Sequence, residues 1–227
     1  MQRKLGKFAY HFWSHERTPY TLLFLLAFTL FILAPLLSAR IIAPIILNVA
    51  FSLIIISGAL TVTKRTSLLL LAIVVSLLSV AVQFFGAFSG KTTQTVESLF
   101  SVGMLIAFAL LMARNFLIQE RAPGHRIAAA VTIYLLLGLI WTRLYQLLES
   151  LSPGSFRFPA GEDLNASALT YFSFVTLATL GYGDITPISL VARDLAVLEA
   201  VMGQLYLVIL ISWLVSQGVT KSGKERG

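Results

Sequence analysis

The chain contains no cysteine, which excludes disulfide bonds, thiolate metal sites and cysteine nucleophiles. Charge is also scarce. Only 12% of the 227 residues are charged while 57% are hydrophobic, and that balance excludes a water-soluble globular fold. The apolar runs hold no histidine and no close pair of carboxylates, so an intramembrane enzyme lacks its acid and base. No inverted repeat is visible, which removes the usual signature of a secondary transporter. The net charge of +7 invites a nucleic-acid reading, but no basic stripe lies on a polar surface that could follow a phosphate backbone. The positive charge is read instead as information about membrane orientation, with membrane lipids as partners.

Residues 21–37, 41–63 and 66–90 are free of charged side chains, and each run can cross a hydrocarbon core about 30 Å thick. A fourth span over roughly 98–119 and a fifth over roughly 127–148 each carry an arginine, Arg114 and Arg143, close enough to one end to snorkel to the headgroups. A sixth runs from about Leu190 to Thr220. Pro35 and Pro44 predict kinks, since neighbouring groups in a bundle satisfy the carbonyls that proline frees. Residues 164–183 are equally uncharged, but the run ends in Gly-Tyr-Gly-Asp and carries several hydroxyls, so it reads as a helix that enters and returns. The predicted fold is an all-α integral membrane protein of six transmembrane helices plus a re-entrant pore helix and a loop.

With both termini in the cytoplasm, 12 of the 17 Lys and Arg residues fall inside, leaving Arg40, Lys91, Arg143, Arg157 and Arg193 outside. That split obeys the positive-inside rule and predicts a multi-pass protein of the cell membrane. Residues 8–20 mix Phe8, Tyr10, Phe12, Trp13 and Tyr20 with His11, His15 and Arg17, the composition of an interfacial segment. His11 and His15 stand four apart, but no third metal ligand accompanies them. Asn165-Ala166-Ser167 has the form of a glycosylation sequon and is read as coincidence beside the re-entrant helix.

Between the fifth and sixth spans, residues 168–187 read ALTYFSFVTLATLGYGDITP. Thr179-Leu180-Gly181-Tyr182-Gly183 is the part that carries chemistry. A dehydrated cation in hydrocarbon needs oxygen dipoles in place of its water, and backbone carbonyls supply them without fixed charge. Successive carbonyls face one axis only if the backbone alternates between ordinary and left-handed conformations, which glycine permits at 181 and 183. Thr179 adds a hydroxyl oxygen to its carbonyl.

This segment resembles the pore loop of tetrameric potassium channels, whose filter is written T-x-G-Y-G and is a worked example of carbonyl selectivity. The resemblance covers about 127–220 and implies an outer helix, pore helix, selectivity filter and inner helix. It implies K+ coordinated by Thr179, Leu180, Gly181 and Tyr182, a homotetramer, and no cofactor beyond the permeant K+ ions. Gly183 completes the filter. Tyr171, Phe172, Val175, Thr176 and Asp184 are the expected filter supports. Tyr171, Phe172 and Phe174 are expected to pack near Tyr182. Some relatives pair an acid at the position of Val175 with the Asp after the filter, so here Asp184 needs another partner, for which Tyr171 is the candidate. Asn165 or Ser167 is expected to cap the pore helix.

In the sixth span, Gly203 falls where the family's inner helix bends. Leu207, Ile211, Val215 and Val219 recur at four-residue spacing as an apolar stripe that could gate by dewetting, with Gln204 and Ser212 as polar cavity linings. Arg193, Asp194 and Glu199 are expected to pair among themselves or with Glu149 and Arg143. The expected organisation is an interfacial segment over 1–19, a four-helix membrane domain over 20–126, the pore domain over 127–220 and a cytoplasmic tail over 221–227. Steep voltage gating needs three or four arginines spread through the fourth span, at about 2.3 kcal/mol per charge per 100 mV, whereas Arg114 stands alone. The functional expectation is passive, potassium-selective conduction with weak or no intrinsic voltage dependence. The competing readings are a non-conducting accessory or scaffold subunit and a weakly selective cation channel.

Overall fold

The computed structural model describes residues 18–29, 91–114, 123–159 and 166–224. Residues 1–17 of the expected interfacial segment, the second and third spans, both proline kinks, the two histidines and Asn165 lie outside the described residues, and Thr18 and Pro19 belong to the first described helix.

Five helices and one two-stranded ribbon make up the described part. Helix α1 (Thr18–Phe28) and helix α2 (Lys91–Met112) precede α3 (Pro123–Leu151). Strand β1 (Phe156–Arg157), helix α4 (Ala166–Leu177), strand β2 (Thr186–Pro187) and helix α5 (Leu190–Lys224) follow. Proline opens α3, where its missing N–H is one of the donors that a helix start leaves unpaired anyway. Ser189 caps α5: its hydroxyl accepts the Ala192 N–H at 3.2 Å and its carbonyl accepts the Arg193 N–H at 3.1 Å. The last helix runs four residues past the expected end of the sixth span, to Lys224.

Among the described residues two helices are long and apolar enough to cross a membrane, Gly124–Leu151 and Leu190–Trp213. They correspond to the expected fifth and sixth spans. Helix α4 has 12 residues and is therefore roughly 18 Å long, too short to cross and consistent with entry and return. The chain is a predominantly helical membrane protein, with one addition to the expected all-helical pattern. Phe156 pairs antiparallel with Pro187 and Arg157 with Thr186, so the segment before α4 is tied to the segment after the loop that follows it. Ser155 extends that tie, its carbonyl accepting the N–H groups of Ile188 at 2.7 Å and Ser189 at 3.3 Å.

Two apolar clusters hold these elements. The first joins Leu22 and Leu26 of α1, Leu105, Phe108 and Met112 of α2, and Ala129, Ile133 and Leu136 of α3. The second joins Trp141 and Tyr145 of α3 to Phe156, to Leu169, Phe172 and Leu177 of α4, and to Ile185 and Ala192. Helix α3 thus shows most of its surface to neighbours, whereas α5 leaves most of its apolar surface uncovered in the single chain.

Candidate functional site

Helix α4 ends in a backbone geometry that launches the loop. The Leu180 N–H reaches the Val175 carbonyl at 2.9 Å and the Thr179 N–H reaches the Thr176 carbonyl at 2.9 Å. That pair of bonds is a Schellman closure, which requires its C′ residue, here Thr179, to be left-handed. Thr179 has φ of 57° and is the sole non-glycine residue with positive φ among the described residues. A β-branched residue pays for this conformation, on the order of 1–2 kcal/mol. Glycine would relieve the cost, so the strain here is specific to the threonine.

The loop continues with the same alternation. Gly181 has φ of 57° and Gly183 has φ of 77°, while Leu180 and Tyr182 keep ordinary values. Left-handed residues therefore stand at every second position from 179 to 183. At the two glycines this is the expected conformation; the strained threonine is an addition that its side chain does not advertise. The loop is open in the single chain, with Leu180 58% and Tyr182 67% exposed.

Support for the loop differs in part from expectation. The Tyr171 hydroxyl donates to Asp184 Oδ2 at 2.6 Å, the pairing expected in the absence of an acid at 175. The Ile185 N–H donates to Asp184 Oδ1 at 3.0 Å. The Tyr171 hydroxyl holds the Asp184 carboxyl below the usual carboxylate range, with backbone N–H donation adding to the effect. The rings of Tyr171 and Tyr182 stack at 6.5 Å and 10°. Phe172, expected beside Tyr182, turns the other way. It packs edge-on against Tyr145 at 5.1 Å and Phe156 at 5.3 Å, on the side of α4 that faces α3. Phe174 likewise packs on Gly138 of α3. Val175 is buried and Thr176 half-buried on α4. Ser167 sits inside α4 and does not cap it.

Helix α5 passes behind α4 at very short range. A Cβ built on Gly203 would lie 2.1 Å from the carbonyl oxygen of Leu177. The Tyr134 hydroxyl donates to the same carbonyl at 3.3 Å. The helix is continuous through Gly203, and the glycine is a point of close approach between α5 and α4. Tyr206 ties α5 to α3, its hydroxyl donating to the Ala130 carbonyl at 2.6 Å, and the Arg126 guanidinium lies 5.5 Å from the Trp213 ring centre. Gln204, Leu207, Ile211, Ser212 and Val215 are exposed in the single chain; the Val219 side chain lies outside the described part.

The expected ion pairs around Glu199 do not form. Glu199 is fully buried, and its oxygens meet Tyr145 Oη at 2.5 Å and Ser173 Oγ at 2.6 Å. Glu149 accepts the Gly154 N–H at 2.6 Å, and Arg143 donates to Gln146 at 3.0 Å. Tyr145, Ser173 and Gly138 are functional candidates that sequence reasoning missed. The available signal was an acid well inside an apolar span, which in membranes points inward. Arg114 is exposed just past the end of α2.

Comparison with known proteins agrees with this geometry. Residues 127–219 match the family model described as an ion channel, which is 93 of the 227 residues. A 64-residue stretch, 28% of this chain, is 39% identical to the two pore potassium channel c of Oryza sativa subsp. japonica and covers 14% of that protein. The aligned stretch is thus a small part of that relative's length. No solved structure matches. Residues 127–219 are thus similar to an ion channel domain, and the similarity is to a channel rather than to an enzyme.

Proposed function

We propose that this chain is the subunit of a potassium-selective channel that passes K+ passively through a homotetrameric pore. Thr179, Leu180, Gly181, Tyr182 and Gly183 are the filter, with K+ held by the carbonyls of 179–182 and by the Thr179 hydroxyl. The observation that carries this reading is the left-handed backbone at every second residue, 179, 181 and 183. Such alternation turns successive carbonyls to one side, and a T-x-G-Y-G sequence that adopts it has the means to replace a hydration shell. One chain supplies one strip of oxygens, so a cage needs several chains about an axis. The uncovered apolar surface of α5, together with the exposed loop, supports the same assembly.

In this reading 127–220 is the pore domain and 20–126 a peripheral four-helix domain, six spans in all, with both termini in the cytoplasm. Arg114 alone supplies too little charge for steep voltage gating. Leu207, Ile211 and Val215 face the conduction path below the filter, with Gln204 and Ser212 beside them. The test is purified protein in potassium-loaded liposomes. The expected result is a barium-sensitive flux and a reversal potential set by K+ in mixed K+ and Na+, from a particle with the mass of four chains. A folded tetramer without flux would favour a scaffold subunit, and a reversal potential indifferent to the cation would favour a weakly selective pore.

A further inference from the structure

The three groups around Glu199 do not balance unless the carboxyl carries a proton. Ser173 Oγ lies 2.6 Å from Glu199 Oε1 and 2.8 Å from the Gly138 carbonyl oxygen. Both separations are those of O–H···O hydrogen bonds, and each needs one hydrogen between its oxygens. The serine hydroxyl holds one hydrogen and the carbonyl holds none. The Tyr145 proton is committed to Glu199 Oε2, at 2.5 Å. The missing hydrogen can come only from Glu199 itself. Were the carboxyl ionised, either the 2.6 Å or the 2.8 Å contact would bring two lone pairs face to face in a fully buried site. Thr142 does not alter the count, because its hydroxyl donates separately to the Gly138 carbonyl, at 2.9 Å. The titratable groups facing Glu199 are Tyr145 and, at longer range, Tyr134, both uncharged. Its direct hydrogen-bond partners, Tyr145 and Ser173, are neutral, and an isolated carboxylate inside an apolar span is expensive.

We propose that Glu199 is a neutral carboxylic acid that positions the pore helix. It donates from Oε1 to Ser173, Ser173 passes its own hydrogen to the Gly138 carbonyl, and Tyr145 donates to Oε2. The chain of bonds links α5 to α4 and α4 to α3, six residues ahead of Thr179. The protonation state stands independently of conduction; the consequence for the filter rests on the channel reading above.

Glu199→Gln separates the alternatives, since an amide donates to Ser173 and accepts from Tyr145 as the neutral acid does, whereas it cannot imitate a carboxylate that accepts on both oxygens. Infrared spectra of the purified wild type and E199Q in lipid at neutral pH are expected to differ by a carboxylic-acid C=O band present in the wild type alone. E199Q is expected to keep potassium flux and selectivity within about twofold of wild type, because every bond survives. Ser173→Ala and Glu199→Ala are expected to lower flux roughly tenfold or more, or to shift the reversal potential toward sodium, because each leaves buried oxygens unpaired. Absence of the acid band overturns the proton assignment, and S173A with wild-type flux and selectivity overturns the positioning role. If wild type itself does not conduct, the channel reading fails while the infrared band still decides the state of Glu199.

Discussion

Gly203→Ala tests whether the inner helix shapes the filter by contact. The added Cβ would meet the Leu177 carbonyl oxygen at 2.1 Å, with the Leu177 carbonyl carbon and Cδ1 each at 3.1 Å. Real contacts of this kind scarcely occur under 3.0 Å, so the two helices must part by about 0.9 Å at this point. The nearest atom is backbone, and no rotamer change can move it. Overpacking of this sort costs about 1–3 kcal/mol. Against it stands the better helix propensity of alanine, a gain of up to about 1 kcal/mol. The clash outweighs the propensity gain over most of its range, leaving a net loss of up to about 2 kcal/mol per chain. Leu177 is the last residue of α4 and stands two before Thr179, so the displacement enters the filter directly. The assays are thermal unfolding of the protein in detergent and the reversal potential in mixed K+ and Na+, with Gly103→Ala as the control. A Cβ at 103 meets nothing within 4 Å, and that variant is expected to hold or gain stability. A G203A protein that melts no lower than wild type and keeps its selectivity would refute the contact argument. A change confined to open probability, with selectivity and melting unchanged, would return Gly203 to the role of a bend.

Gly181→Ala is expected to insert and fold but to lose potassium flux in liposomes. A Cβ there meets nothing within 4 Å, so the whole effect comes from φ of 57°, about 1–2 kcal/mol per chain; wild-type flux would count against the filter assignment. Thr179→Gly removes the strain at φ of 57° and is expected to raise thermal stability while weakening selectivity. A variant both less stable and fully selective would show that the threonine is there for packing. Tyr171→Phe is expected to raise the Asp184 pKa toward the ordinary carboxylate range, as followed by carboxyl carbon chemical shifts against pH. The sign follows from linkage: a depressed carboxyl contributes stability above its unfolded pKa and loses it as pH falls through the lower folded value. An Asp184 titration that does not move in Y171F would show that the hydroxyl is not the cause.

The site was legible where chemistry demands a residue type and opaque where geometry chooses among equals. Gly181 and Gly183 could be read because only glycine takes a positive φ without penalty, and the Asp184 to Tyr171 pairing followed from the missing acid at 175. Thr179 hid its conformation because threonine normally refuses it. Phe172 was misplaced because three aromatics within four residues of a helix point in different directions, and their spacing does not say which one the loop will meet. The pairing expected of Glu199 with Arg193 fails on helical geometry. Six residues along a helix rotate a side chain by about 120° from its starting face, so the two groups cannot share one. Only the position of α4 shows that Glu199 faces inward.

The pore helix is gripped at its carboxyl end from two sides. From α3, Tyr134 binds the Leu177 carbonyl and Gly138 accepts from Ser173; from α5, Gly203 presses on the same Leu177 carbonyl and Glu199 meets the same serine. Leu177 and Ser173 are therefore each held from both α3 and α5, and those two helices are tied to each other through Tyr206 and Ala130. A rotation of α5 that left the Tyr206 bond intact would still drag Ser173 through Glu199. A separation of α5 from α3 would have to break that bond first, because the 2.6 Å contact tolerates little stretching. In the proposed channel, any movement of the inner helix that reaches Gly203 is thus transmitted to Thr179 through two residues of backbone. Such coupling makes the filter responsive to the inner helix, so variants that loosen Tyr206 should broaden selectivity before they alter any constriction below it.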